Sequence, residues 1–304
     1  MHWKKLQQKI MKIMSLIWLC ALFLSGCSST IPEFNGEKAF EYLEAQCEFG
    51  PRNPGSKGHA QCKDYFIDFL NSHGATVSTQ EFPIEVRGEQ YQCTNIVASY
   101  YPEKPRRIFI GAHWDTRPWA DRDADVTNHN TPIAGANDAA SGVAVLMELA
   151  TILQANEPEV YGIDLIFFDA EDAGSYGQNE SWCLGSQYFV EQYSGKEPEF
   201  VIVIDMIGDA DLDILIESFS QKSSPALVKK VWDIARKNDI RAFSSKMTNY
   251  IYDDHYPFLE AGYEAIDIID MEYPYWHTIE DTPDKCSPKS LQDVGTVLTH
   301  LIYE

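Results

Sequence analysis

Leu165-Ile166-Phe167-Phe168 runs directly into Asp169-Ala170-Glu171-Asp172, and Ile108-Phe109-Ile110-Gly111-Ala112 runs into His113-Trp114-Asp115. Both apolar runs are too short for a helix, are rich in β-branched and aromatic residues, and end in acids or a histidine. Apolar residues at consecutive positions, without alternation, suit a strand covered on both faces. Residues 107–112, 163–168, 200–207, 214–217 and 265–269 all read this way. Between them, residues 138–155 carry Val143, Leu146, Met147, Ala150 and Leu153 at helical spacing, and 186–192, 225–238 and 288–302 are helical likewise. Ser287 is placed to cap the last helix, with Pro288 at its first position. Strands alternating with helices predict an α/β three-layer sandwich around a mixed, mostly parallel central sheet.

In such folds, sites gather where strands end. The chain places chemistry there repeatedly. Besides the two runs above, residues 201–204 end at Asp205, and 266–269 lead towards Trp276-His277. Asp138, in Gly135-Ala136-Asn137-Asp138, stands before a helix. Crowded carboxylates repel unless protonated or offset by a cation. Mixed carboxylate and imidazole groups suit a divalent ion of borderline softness, zinc first. Adjacent side chains on extended backbone diverge, so in Glu171-Asp172 one acid can bind an ion while the other faces substrate.

The 304 residues are 44% hydrophobic and 23% charged, with no repeat or Pro/Gly-rich linker, which suits one catalytic domain over residues 37–304. A formal charge of −22 disfavours nucleic acid as a partner, since phosphate binding needs basic patches. Cys47, Cys62, Cys93, Cys183 and Cys286 match no zinc-finger spacing, and an odd number cannot all pair internally. Buried thiols, with at most two disulfides, are expected.

Residues 1–27 read as an export signal, with residues 28–36 as a tether. Lys4, Lys5, Lys9 and Lys12 precede an apolar run from Ile13 to Leu24, too short for a comfortable membrane span. Leu24-Ser25-Gly26-Cys27 resembles a bacterial lipobox, which implies cleavage before a lipidated Cys27. The expected product is an exported, membrane-anchored lipoprotein facing the periplasm, and a monomer.

Five segments together resemble the zinc aminopeptidase-like superfamily. They are Gly50-Pro51-Arg52-Asn53-Pro54-Gly55-Ser56, Gly111-Ala112-His113-Trp114-Asp115 and Gly135-Ala136-Asn137-Asp138-Ala139-Ala140-Ser141-Gly142. Phe167-Phe168-Asp169-Ala170-Glu171-Asp172 and His277-Thr278-Ile279-Glu280-Asp281-Thr282 complete the set. Within that superfamily, residues 115–121, Asp253-Asp254-His255-Tyr256-Pro257-Phe258 and Trp276-His277-Thr278 are most similar to bacterial glutaminyl cyclases.

The resemblance implies a zinc-exopeptidase-like fold and one zinc at Asp138, Asp172 and His277. It implies Glu171 as general base and then acid, with Asp205 and Asp253 as a hydrogen-bonded carboxylate pair beside it. Trp276, with Trp119 or Trp182, would wall the pocket. His113 and Asp115 would stand behind the ligands or hold a second metal. The resemblance also implies a cis peptide at Asp138–Ala139. Asp172 departs from the pattern, where Glu is usual. The implied reaction is closure of an N-terminal glutamine of a peptide or protein to pyroglutamate, with release of ammonia. A two-zinc aminopeptidase, with His113 and Asp205 on the added ion, is the alternative. A non-catalytic binding lipoprotein is a third and remote reading.

Overall fold

The computed structural model describes residues 31–304 and, ahead of them, Trp3; the rest of the expected export signal, with Cys27, lies outside the described residues. Pro32–Glu304 forms one compact unit. It begins with helices α1 (Gly36–Cys47) and α2 (Lys57–Ser72), then a long hairpin of β1 (Thr76–Val86) and β2 (Glu89–Tyr100). Next come β3 (Arg106–His113), α3 (Gly142–Ala155), β4 (Tyr161–Phe168), α4 (Leu184–Gln192) and β5 (Val201–Asp205). The rest holds β6 (Ile214–Ile216), α5 (Ser218–Ser223), α6 (Pro225–Lys237), β7 (Phe243–Met247), α7 (Tyr256–Glu260), β8 (Ala265–Ile269) and α8 (Pro288–Tyr303).

Six strands form one sheet in the order β1-β2-β4-β3-β5-β8. β4, β3, β5 and β8 run parallel, and the β1–β2 hairpin joins antiparallel through β4. The sheet is therefore mixed and mostly parallel, as expected. Strand side chains alternate between faces. Ile108, Ile110 and Ala112 of β3 pack with α1, α2, α3, α6 and α8, while Phe109 packs on the other face with Phe189 of α4 and Phe258 of α7. Helices on both faces explain why β3 and β4 read as unbroken apolar runs.

α3 is the central core helix. Val143, Leu146, Met147, Leu149, Ile152 and Leu153 are all buried in it. At about 1.5–3 kcal/mol for each large apolar side chain buried, this helix is a principal source of cohesion. It is apolar and long enough to cross a membrane when counted from Ala136, yet it lies inside the fold. Gly142 lets its first turn sit directly on β5, since a Cβ there would lie 2.7 Å from the Ile204 carbonyl oxygen. Ser287 caps α8 by accepting from the Lys289 N–H, as its position predicted.

Two regions differ from the sequence reading. The hairpin and helices α1 and α2 were not anticipated. The start of the predicted helix at 138 is instead a wide π-type turn over Ala136–Ser141, regular helix beginning only at Gly142. Asp138 interrupts that turn at φ −101° and ψ 78°. No cis peptide occurs among the described residues, so Asp138–Ala139 is trans. The bend expected of a cis bond is made by Asp138's own dihedral angles.

Candidate active site

β4 pairs with one side of β3, and the chain then crosses to place β5 on the other, so the β3–β5 junction is the sheet's switch point. His113 ends β3 and Asp205 ends β5, and the turn carrying Asp138 packs against them there. A cavity of about 440 Å³ opens above, lined by Asp138, Glu171, Asp172, Asp205, Asp253 and His277, among others. Trp182 and Trp276 contribute to its wall.

Asp138, Asp172 and His277 come together as expected. His277 Nε2 lies 3.0 Å from Asp172 Oδ1 and 3.5 Å from Asp138 Oδ2. One atom from each residue fits within a 4.8 Å cluster. Asp138 Oδ2 and Asp172 Oδ2 are buried without a hydrogen-bond partner. Burial lifts the Asp172 carboxyl to about 8, while the same burial lowers His277 to about 3 and keeps its imidazole neutral, the ligating form. Two unpartnered aspartate oxygens beside a neutral imidazole are a donor set that a zinc dication fits, and its charge would favour the ionised form of both acids. The shorter Asp172 arm reaches because its backbone is held close. Its N–H donates to Asp115 Oδ2, and its carbonyl accepts from Arg117 Nη1 at 2.9 Å.

The supports of these three residues explain the motifs. Asp281 accepts the N–H groups of Asn137 and Asp138, tying the 277–282 segment to the Asp138 turn. Arg52, fully buried, donates to the carbonyls of Trp114, Ala134 and Gly135, fixing the approach to that turn. Gly135 stands there at φ +63°, where a Cβ would strike the Asp138 carbonyl oxygen. His277, itself at φ +57°, sits 2.8 Å by Nδ1 from the Tyr176 hydroxyl, with Asp121 Oδ1 at 3.6 Å. Such outer contacts fix the ring's orientation.

Glu171 shares the cavity with the trio. Its N–H donates to Asp115 Oδ1, so one buried carboxylate, Asp115, pins both members of the acidic pair. Burial raises the Glu171 carboxyl well above its ordinary value; His113 opposes the rise, and the charges of Asp172, Asp253 and Asp254 add to it. His113 contacts Asp205 Oδ1 at 3.1 Å and Asp138 Oδ1 at 3.2 Å. His113, Asp138 and Asp205 thereby form a second group able to hold an ion, sharing Asp138 with the first.

Two expectations are corrected. Trp119 does not line this cavity. Its indole N–H donates to Asp121 Oδ2 and the Arg87 guanidinium lies 3.7 Å over its ring, turning it into a neighbouring cleft beside β1. Asp205 and Asp253 both stand at the cavity but no hydrogen bond joins them among the described residues. Each has its Oδ1 engaged instead by the N–H of its following residue, Met206 and Asp254. Asp253 instead clusters with His255 and Asp267. Burial and then the charge of Asp205 lift Asp253 to about 6.

Sequence reasoning passed over Tyr176, Asp267 and Cys183. Asp267 lies inside an apolar strand, where an isolated acid was a usable signal. Tyr176 and Cys183 sit in irregular segments whose placement no periodicity reveals. All five cysteines from Cys47 onward are free.

The sequence model of Peptidase family M28 matches residues 95–302. Glutaminyl cyclase from Bacteroides thetaiotaomicron, solved bound to N-acetylhistamine, is 40% identical with a TM-score of 0.87, covering 90% of this chain and 99% of that one. Tannerella forsythia glutaminyl cyclase is 38% identical with the same TM-score, covering 90% and 99%. The aminopeptidase YwaD of Bacillus subtilis is 29% identical over 227 residues, 69% of this chain; the match spans only 44% of that relative's length.

Proposed function

Because the chain belongs to Peptidase family M28, we propose that its cavity closes N-terminal glutamine residues of peptides and proteins to pyroglutamate, releasing ammonia. The observation that carries this reading is the shared cavity of about 440 Å³, in which Glu171 and the trio Asp138, Asp172 and His277 lie beneath Trp182 and Trp276. Likeness at 40% and 38% identity to bacterial glutaminyl cyclases over nearly their whole length supports it.

Asp138, Asp172 and His277 would hold zinc, which supplies Lewis acidity towards the substrate's γ-carboxamide. The substrate's α-amine attacks its own γ-carboxamide carbon, forming the lactam C–N bond while the bond to the amide nitrogen breaks. Glu171 takes the proton from the attacking amine and delivers it to the leaving nitrogen. Its raised affinity for protons suits a group that must both accept and return one. The charges of Asp172, Asp253 and Asp254 around the base favour its protonated form. Trp182 and Trp276 shield the reacting atoms from water and orient the flat amide.

One zinc is the count this reading takes. The ion is assigned to the trio, where Asp138 Oδ2 and Asp172 Oδ2 are buried without a hydrogen-bond partner. A two-zinc aminopeptidase is the second reading, favoured by the His113–Asp138–Asp205 group alone. Metal analysis after zinc loading separates them: one ion per chain supports the cyclase, two the peptidase. Glu171→Gln should keep that zinc and lose turnover about 10²–10⁴-fold. Full turnover by the variant rules out Glu171 as the acid/base. We further propose lipid anchoring at Cys27, carried by the Leu24–Cys27 pattern; release of a Cys27→Ser variant from membranes supports it, and retention contradicts it.

A further inference from the structure

Cys183 is a buried thiol that the reaction above does not use, and it stands against the base. Its Sγ is 3.4 Å from Glu171 Oε1 and clusters with Glu171 and Asp253. Among the described residues, this thiol is the one hydrogen-bond donor that reaches the Glu171 carboxyl. The backbone is shaped to bring it there. Cys183 takes a left-handed conformation, φ 55° and ψ 34°, immediately before α4. Its N–H donates to the Glu171 carbonyl at 3.0 Å, and the Leu184 N–H donates to the Ala170 carbonyl at 3.1 Å. Backbone and side chain of Glu171 are thus gripped by the same residue. A left-handed residue other than glycine is strained by about 1 kcal/mol or more, and such strain persists where the surroundings hold it.

We propose that Cys183 is the positioning residue for the acid/base: its S–H holds Glu171 Oε1, so that Oε2 is the oxygen presented to the substrate. The inference rests on the acid/base role given to Glu171 above. The choice of thiol has a physical sense. Burial raises Cys183 well above the ordinary thiol range, so it remains an S–H donor beside a carboxylate. An S–H is a weak donor, so it can fix a rotamer without binding the charged form strongly. It also has the apolar bulk to fill the pocket behind the base.

Three kinetic comparisons and one spectroscopic reading test this on the whole chain. Cys183→Ala keeps a Cβ and the same backbone strain but loses the donor; kcat for a Gln-initiated dipeptide should fall about 10-fold, with KM and zinc content unchanged. Cys183→Ser restores a donor and should recover most of that loss. In a Glu171→Gln background, Cys183→Ala should cost nothing further, since there is no base left to position. The infrared S–H stretch of Cys183, identified by its disappearance in Cys183→Ala, should sit at a hydrogen-bonded position and move towards the free-thiol position in Glu171→Ala. Equal impairment of the Ala and Ser variants, or loss of zinc in Cys183→Ala, would mean that the residue only packs and would overturn the inference. So would a free-thiol band in the wild type, whatever the enzyme turns over. Failure of the wild type to release ammonia counts against the cyclase reading instead.

Discussion

Replacing Tyr176 by Phe removes one oxygen atom and tests how His277 is held. The hydroxyl lies 2.8 Å from Nδ1, and with Nε2 as the ligating atom Nδ1 would carry the ring proton. The ring contacts of Tyr176 with Trp182 and Trp276, at 5.5 and 6.4 Å between centroids, remain in the Phe variant. Loss of an outer partner of a ligating histidine typically costs ~10–100-fold in metal affinity. Here the lower end applies, because Asp121 Oδ1 stands 3.6 Å from the same nitrogen and can move in to accept its hydrogen bond. The expected weakening is ~10-fold in zinc Kd, or ~1.4 kcal/mol. Adding Asp121→Asn weakens the substitute acceptor as well and should bring the loss towards ~100-fold. Competition for zinc against a chromogenic chelator measures both. Unchanged affinity in the double variant would refute the assignment of Nε2 as the ligating atom with Nδ1 held from behind.

Trp276→Ala should raise KM for a Gln-initiated dipeptide several-fold, whereas Trp119→Phe should leave KM within about two-fold; equal effects in steady-state kinetics would contradict the placement of Trp119 outside the cavity. Glu217 gives a pH-dependent prediction. Burial would raise its carboxyl, but His255 and the N–H groups of Phe219 and Ser220 together hold it at about 2, below the ordinary 4.5. A lowered carboxyl contributes stability that is fully present above 4.5 and lost as pH falls through about 2. The Tm advantage of wild type over Glu217→Gln should therefore be largest near neutrality and shrink across that window; an advantage that stays constant with pH would refute it.

The parts of this protein that the sequence made legible are those set by burial on two faces. β3, β4 and β8 could be read because helices cover both their sides and exclude polar residues. The hairpin could not, because β1 is an edge strand with largely exposed residues such as Thr79 and Glu81. Its turn did carry a signal, Arg87-Gly88, both at positive φ. Site residues at strand ends, His113, Glu171, Asp172 and Asp205, were legible for the same topological reason. Trp119 was misplaced because its proximity in sequence to Asp115 says nothing of which side of the 173–181 loop it faces. Cys183 and Tyr176 were invisible because their roles depend on a left-handed backbone and on a contact 101 residues away.

The central claim is that the cavity makes a lactam and does not hydrolyse a peptide bond. The direct measurement is the product of the zinc-loaded wild-type chain acting on a Gln-initiated dipeptide, followed by mass spectrometry and an ammonia assay. The account predicts one ammonia per substrate, a pyroglutamyl dipeptide, and no free amino acid. Free glutamine appearing with its former neighbour, without ammonia, would contradict it.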